Sequence, residues 1–218
     1  MTATRPTETQ RVFEQLKSLI LANQLPAGSP LSHSQLCRDL RTSRTPVREA
    51  LSRLEGLGLV TTVPHRGTFV AQLGLQDFLE MTEIRTLIEP FAARQAAGRV
   101  PGAALEDLER RLRALSCERP AEAGFEALQA IDAEIHRLIG RAAGNRRLDA
   151  LAETLRSLCQ QFSYDSRLRF ATMVGELLDL LAALRAGDGA AAETIMRQHI
   201  SNFGEALPGM IGRKPLSE

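Results

Sequence analysis

Tryptophan is absent, tyrosine occurs once, and aromatic residues reach only 4% of the chain. Leucine and alanine dominate instead, which disfavours an all-β sandwich and favours helices closed by Leu and Ala packing. Cysteine is scarce: Cys37, Cys117 and Cys159 are widely spaced with no C-x-x-C pair, so neither a disulfide framework nor a cysteine zinc site is indicated, and a reducing cytosol fits. No run of about 18 apolar residues is present that could span a bilayer, and residues 1–10 lack the apolar core of a signal peptide. A soluble cytoplasmic protein without membrane partners is expected. H-E-x-x-H, G-x-S-x-G and G-x-x-x-x-G-K-S/T are all missing, so no enzyme signature is found. Nor is there a surplus of one charge overall. The net +1 hides an asymmetry, with nine basic against five acidic residues over 1–72 and eighteen against twenty-one over 73–218. The N-terminal part is the one suited to a polyanion.

What is present is a 218-residue chain with 44% apolar residues, enough for two modest domains with real cores. After a tail over 1–9, Val12, Leu16, Leu19 and Ile20 mark a first helix that Leu25-Pro26-Ala27-Gly28 stops. Ser32 can cap a second, short helix. Ser43 or Thr45 can cap a third, which tolerates Pro46 in its first turn and buries Val47, Leu51 and Leu54. Gly56 and Gly58 end it, and residues 59–63, 64–67 and 68–71 read as strand, tip and strand. Three helices and a hairpin over 10–72 predict a winged helix-turn-helix. Around Gly74, residues 73–76 read as a linker. From 77 to 208 the pattern is helical throughout, with helices expected at about 77–98, 103–116, 121–142, 146–163, 170–186 and 189–207, followed by a tail over 209–218. The fold class is therefore mainly α, a winged helix-turn-helix followed by an all-helical effector-binding bundle.

Within Thr42-Ser43-Arg44-Thr45-Pro46-Val47-Arg48-Glu49-Ala50-Leu51, Arg44 and Arg48 stand one helical turn apart at a helix N-terminus. Their forks match guanine O6 and N7 in the major groove, while Ser43, Thr45 and the first helical amides suit phosphate oxygens. His65, Arg66 and Gly67 at the hairpin tip suit a neighbouring groove, and Arg38 and Arg41 suit phosphates. An isolated pair of helical arginines is more often plain solvated charge. Here, however, the S-R-T-P-V-R-E-A-L stretch, the Leu-rich helix, Gly58-Leu59-Val60 and the closing R-G-T-x-V resemble the GntR family of regulators over residues 10–71. Ser34 departs from the charged residue that relatives often carry there. The resemblance implies a sequence-specific DNA-binding regulator, a homodimer on a near-palindromic double-stranded operator, acting as a repressor.

Residues 77–207 resemble the FCD-type effector domain of the FadR-like branch of that family. Three pieces carry the resemblance: Glu83-Ile84-Arg85-Thr86-Leu87-Ile88-Glu89-Pro90; Asp132-Ala133-Glu134-Ile135-His136 with Gly144-Asn145; and Ala186-Gly187-Asp188 with Met196-Arg197-Gln198-His199. Asp132 and His136 lie one turn apart and can converge on one cation. The resemblance adds His199 and implies one divalent ion, zinc, manganese or nickel, per chain. Leu177 stands where relatives carry a further histidine, with Glu176 beside it. Two readings of this set stay open: a three-ligand metal site, or hydrogen-bonded structural histidines. Arg85 also has two readings, an ion pair with Glu89 at i+4 or a fork onto the carboxylate of a small organic-acid effector, which the resemblance favours. Two competitors remain: a hydrolytic metal centre with Glu176 as general base, and an architectural DNA-binding dimer whose sensor has lost its ligand.

Overall fold

The computed structural model describes residues 7–115, 122–159 and 169–206. It divides into two compact units with the boundary between Gly74 and Leu75. The first holds α1 (Glu8–Leu21), α2 (His33–Asp39), α3 (Arg44–Glu55), β1 (Val60–Val63) and β2 (Gly67–Val70). The second holds α4 (Leu75–Ala96), α5 (Gly102–Leu115), α6 (Glu122–Ala142), α7 (Arg146–Cys159), α8 (Phe170–Ala186) and α9 (Gly189–Ala206).

In the first unit, Val12, Phe13, Leu16 and Ile20 of α1 bury against α3, whose own stripe is Val47, Ala50, Leu51 and Leu54. The Thr7 side chain accepts from Gln10 N–H, which starts α1 at Glu8, inside the stretch expected as tail. Ser32 caps α2 in the same way. The turn into α3 is closed by Arg41 at φ 50° and by Thr42 N–H on Cys37 O at 3.0 Å. Arg11 of α1 donates to the Leu40 carbonyl at 2.8 Å and fixes this corner to the first helix. The hairpin pairs Val60 with Val70 and Val63 with Gly67 in antiparallel register. A bridge between Pro30 and Phe69 adds the segment before α2 to the free edge of β2.

In the second unit α4 packs against α9, α7 and α6. Its buried set includes polar side chains, Thr82, Arg85 and Glu89, among Phe78, Met81, Ala92, Ala93 and Ala96. Pro90 inside α4 has no N–H to give to the Thr86 carbonyl. Arg197 of α9 donates to that carbonyl at 2.7 Å, so the break in the ladder is filled by the neighbouring helix. The apolar core is built from Leu105, Leu108 and Leu112 of α5, Leu128, Ile135 and Ile139 of α6, and Leu177, Leu180 and Leu184 of α8. Gly187, at φ 71°, ends α8, and the Asp188 carboxylate accepts from Ala191 N–H at 2.9 Å to start α9.

The six helices expected after residue 76 are all present, and those of their ends that fall among the described residues lie within a few residues of the expected ones. One boundary is corrected: Leu75 and Gln76 are helical rather than linker, because the apolar positions Leu75, Phe78 and Leu79 continue the α4 spacing up to Gly74. Cys117, Pro120, the tail expected at 209–218, and the helix ends expected at 116, 163 and 207 lie outside the described residues. Among the described residues no helix is long and apolar enough to cross a membrane.

Candidate functional site

The N-terminus of α3 presents unused hydrogen-bond donors. Ser43 is its N-cap residue yet makes no side-chain capping bond. The third helical position is Pro46, which has no N–H to offer, so the usual capping partner is missing. Ser43, Arg44, Thr45 and Arg48 are exposed. Among the described residues neither Arg44 nor Arg48 enters a salt bridge, whereas charged neighbours on the same helix are engaged. Glu49 accepts from Thr9 at 2.8 Å, Arg53 donates to Gln10 and lies over the Phe13 ring, and Glu55 accepts from Thr62 N–H. One face of α3 is tied to its own unit and the other is exposed. At the hairpin tip His65, Arg66 and Gly67 are exposed. Arg66 N–H bonds to Val63 O at 3.0 Å, with His65 at φ 61° in the turn position that takes left-handed backbone.

In the second unit, α6 and α9 bring Asp132, His136 and His199 together, with their ligand atoms within 4.8 Å of one another. His199 Nε2 lies 3.1 Å from Asp132 Oδ1 and its Nδ1 lies 2.8 Å from Glu176 Oε2. Burial works against a charged His199, but the two carboxylates outweigh it and raise its pKa to about 9. Burial likewise disfavours the Asp132 anion, yet His136 and His199 hold its carboxyl well below the usual range. His136 uses Nδ1 on Glu89 Oε2 at 2.5 Å, while its Nε2 is buried, unpaired and 3.6 Å from Asp132 Oδ1.

These residues fit a divalent cation. An unpaired imidazole nitrogen faces a carboxylate and a second imidazole, and each histidine has a further carboxylate behind its other nitrogen, Glu89 behind His136 and Glu176 behind His199. Such outer partners fix the tautomer and ring orientation of metal-ligating histidines. Glu176 thus lies behind His199, outside the three residues that converge. Its oxygens are also held by Asn202 at 2.7 Å and Arg169 at 2.9 Å, which leaves it poorly placed as a general base. Leu177, where an imidazole was expected by resemblance, is fully buried in the apolar core.

Arg85 is buried and donates from Nε to Glu89 Oε1 at 2.6 Å, so the ion pair allowed by the i+4 spacing is formed. The same carboxylate accepts from Arg156 Nη1 of α7 at 3.2 Å. Burial disfavours the Glu89 anion, but Arg85, His136 and Arg156 together hold its carboxyl well below the usual range. Beside this network lies a cavity of about 430 Å³ whose wall includes Arg85, Asp132, Arg156, His199, Met173 and Phe203. Sequence reasoning passed over Arg156, and the signal for it was present. Arg156 sits in the buried stripe of Ala152, Leu155 and Cys159, where an unpaired charge would be costly.

A family model described as bacterial regulatory proteins, gntR family, matches residues 8–70, and one for the FCD domain matches residues 80–202. A probable D-xylose utilization operon transcriptional repressor of Paenarthrobacter nicotinovorans is 32% identical, covering 92% of this chain and 88% of its own length. This chain belongs to the GntR family. It is a DNA-binding transcriptional regulator of the FCD-containing kind rather than an enzyme. The transcriptional repressor RspR of Escherichia coli K12 is 28% identical, over 94% of this chain and 92% of its own. In fold, this GntR-family chain resembles the Escherichia coli protein McbR/YncC, with a TM-score of 0.71 at 22% identity over 94% of this chain and 99% of the other.

The geometry sets a test of the buried network. Glu89→Ala leaves two interior guanidinium groups without a counter-charge, and it is expected to destabilise the second unit by about 3–5 kcal/mol. Denaturant unfolding measures this, and a loss below about 1 kcal/mol would show that Glu89 does not hold the three helices together.

Proposed function

We propose that two copies of this chain read a near-palindromic operator through α3 and the hairpin tip, and that a small organic acid entering the α4–α9 cavity changes operator affinity. The observation that carries the effector half is the cavity itself. Its volume suits a small molecule, and its wall combines apolar side chains with Arg85 and His199. For the DNA half, the unpaired Arg44 and Arg48 supply forks for base edges. Ser43, Thr45 and the first amides of α3 supply phosphate donors, and His65, Arg66 and Gly67 reach an adjoining groove. Dimerisation is supported by Ile84, Leu87 and Phe91, which stand on α4 at 42%, 65% and 48% exposure. Exposed apolar side chains of this size on one helix suit burial against a second copy. Acid binding shifts the population of arrangements of the paired DNA-binding units. Repression is the favoured sign, since relatives of known name include repressors, and the cytoplasm, where the DNA is, is the site of action.

Selection from a random duplex pool is expected to return inverted half-sites about one helical turn apart, roughly 34–36 Å. Arg44→Ala and Arg48→Ala should each weaken binding to the selected duplex by about 1–3 kcal/mol, roughly 5- to 150-fold, in fluorescence anisotropy at fixed salt. Recovery of no inverted repeat, or unchanged affinity in both variants, would contradict the DNA half.

Asp132, His136 and His199 would hold a zinc, manganese or nickel ion, which when bound supplies open coordination positions for an acid. Around these ligands, Glu89 and Glu176 keep the two imidazoles oriented. Elemental analysis of protein prepared without chelator or nickel resin should find about one equivalent per chain. His136→Ala and His199→Ala should abolish it, and Glu176→Gln should lower metal affinity about 10- to 100-fold. Metal-free wild-type protein would reject the metal centre and leave Arg85 and the apolar wall to bind the acid.

A further inference from the structure

α6 contributes Glu126, Gln129, Ala130, Asp132 and Ala133 to the wall of the cavity. Spacings of three and four put Glu126, Gln129, Ala130 and Ala133 on one side of the helix, while Phe125, Leu128 and Ile131 turn into the apolar core. Burial rises along this face. Glu126 and Gln129 are exposed, whereas His136, one turn beyond Asp132, is 2% exposed. Glu126 therefore marks the outer rim of the wall, and the Asp132–His136–His199 cluster marks its buried end. The other charged groups of the wall are all paired: Arg85 and Arg156 share Glu89, Asp132 meets His199, and Arg169 donates to Glu176 at 2.9 Å. Glu126 makes no hydrogen bond or ion pair among the described residues, and neither does Gln129. The buried end carries the opposite excess. Two guanidinium groups face the single Glu89 carboxylate there, and Arg156 Nη2 is buried without an acceptor. Among the described residues the wall is thus dipolar, cationic inside and anionic at the rim.

We propose that Glu126, with Gln129, is a rim subsite for an ammonium group, and that the effector is an amino acid whose amine lies far from its carboxylate. An ammonium group has three donors and no acceptor, which the Glu126 carboxylate and the Gln129 side-chain carbonyl match. Between Gln129 and the cluster this side of the helix shows only Ala130 and Ala133, small apolar residues that leave room for a methylene stem. The step from Glu126 to Asp132 is roughly 9 Å along the helix axis, and this sets the separation of the ligand's two ends. An α-amino group, next to its own carboxylate, does not span that step. Opposite charges at the two ends also fix which way round the ligand enters. The inference rests on the reading of the cavity as the effector pocket.

The test uses the full chain and acids of matched length: 6-aminohexanoate, heptanoate, which has a methyl in place of the ammonium, and 6-hydroxyhexanoate. Calorimetry at constant ionic strength should find 6-aminohexanoate bound by the wild type more tightly than 6-hydroxyhexanoate. It should also be bound more tightly than 4-aminobutyrate, whose amine falls short of the rim. Glu126→Gln should lower the affinity for 6-aminohexanoate relative to that for heptanoate by about 5- to 30-fold. Glu126→Lys should invert the preference, so that heptanedioate outbinds 6-aminohexanoate, a gain that a merely damaged cavity would not give. Added salt should narrow the wild-type preference, as expected of a charge pair at a solvated rim. An unchanged ratio in Glu126→Gln, or 4-aminobutyrate bound more tightly than 6-aminohexanoate, would overturn the amine subsite and leave the effector pocket standing. Equal binding of the amino and hydroxy acids would overturn the ammonium in favour of a neutral donor. Binding of none of these acids to the wild type would reject the pocket as a site for acids and the rim subsite with it.

Discussion

The buried Glu89 carboxylate is the constraint on which the second unit turns. From α4 it accepts Arg85 of its own helix, His136 of α6 and Arg156 of α7. Glu89 therefore ties three helices at one point inside an otherwise apolar bundle. Its hold on His136 Nδ1 leaves Nε2 facing Asp132 and His199, and Asp132 and Glu176 in turn engage α9. The polar interior is two sets of contacts, one around Glu89 and one around His199, which face each other across the 3.6 Å between His136 Nε2 and Asp132 Oδ1, with the cavity alongside. Networks of this kind are sensitive to loss of any member, which suits an element that is to respond to a ligand.

The first unit is organised on the opposite principle. There Ser43, Arg44, Thr45 and Arg48, at the proposed DNA surface, stay exposed. Pro46 denies Ser43 its capping amide, and the exposed face of α3 keeps Arg44 and Arg48 out of salt bridges among the described residues. The other face of the same helix is held to α1 through apolar packing and through Glu49 and Arg53. A rigidly seated helix with free donors is the arrangement that base and phosphate recognition needs.

Much of this was legible in the sequence. The helices of both units follow from apolar spacing and from glycine and proline breaks, and the S-R-T-P-V-R-E-A-L stretch carried the family. Asp132 and His136 could be paired from their i+4 spacing alone. His199 needed the resemblance, since no local rule relates α6 to α9. What escaped were contacts made only in three dimensions. Glu89 was visible as a partner of Arg85, but its bonds to His136 and Arg156 span 47 and 67 residues. Glu176 enters the sequence reading as the neighbour of Leu177 and the general base of a competing metal centre, and only the placement of α9 puts it behind His199. Pro90 falls inside the helix expected over 77–98, and the donor that fills its gap, Arg197, lies far along the chain.

The central claim is that cavity and operator are energetically linked, and linkage is reciprocal. The direct measurement is the affinity of the wild-type chain for its selected duplex with and without a saturating carboxylate, paired with the affinity for that carboxylate with and without the duplex. The account predicts that both affinities change by the same factor, about 5- to 150-fold. Operator affinity that stays constant while the cavity is saturated would contradict it.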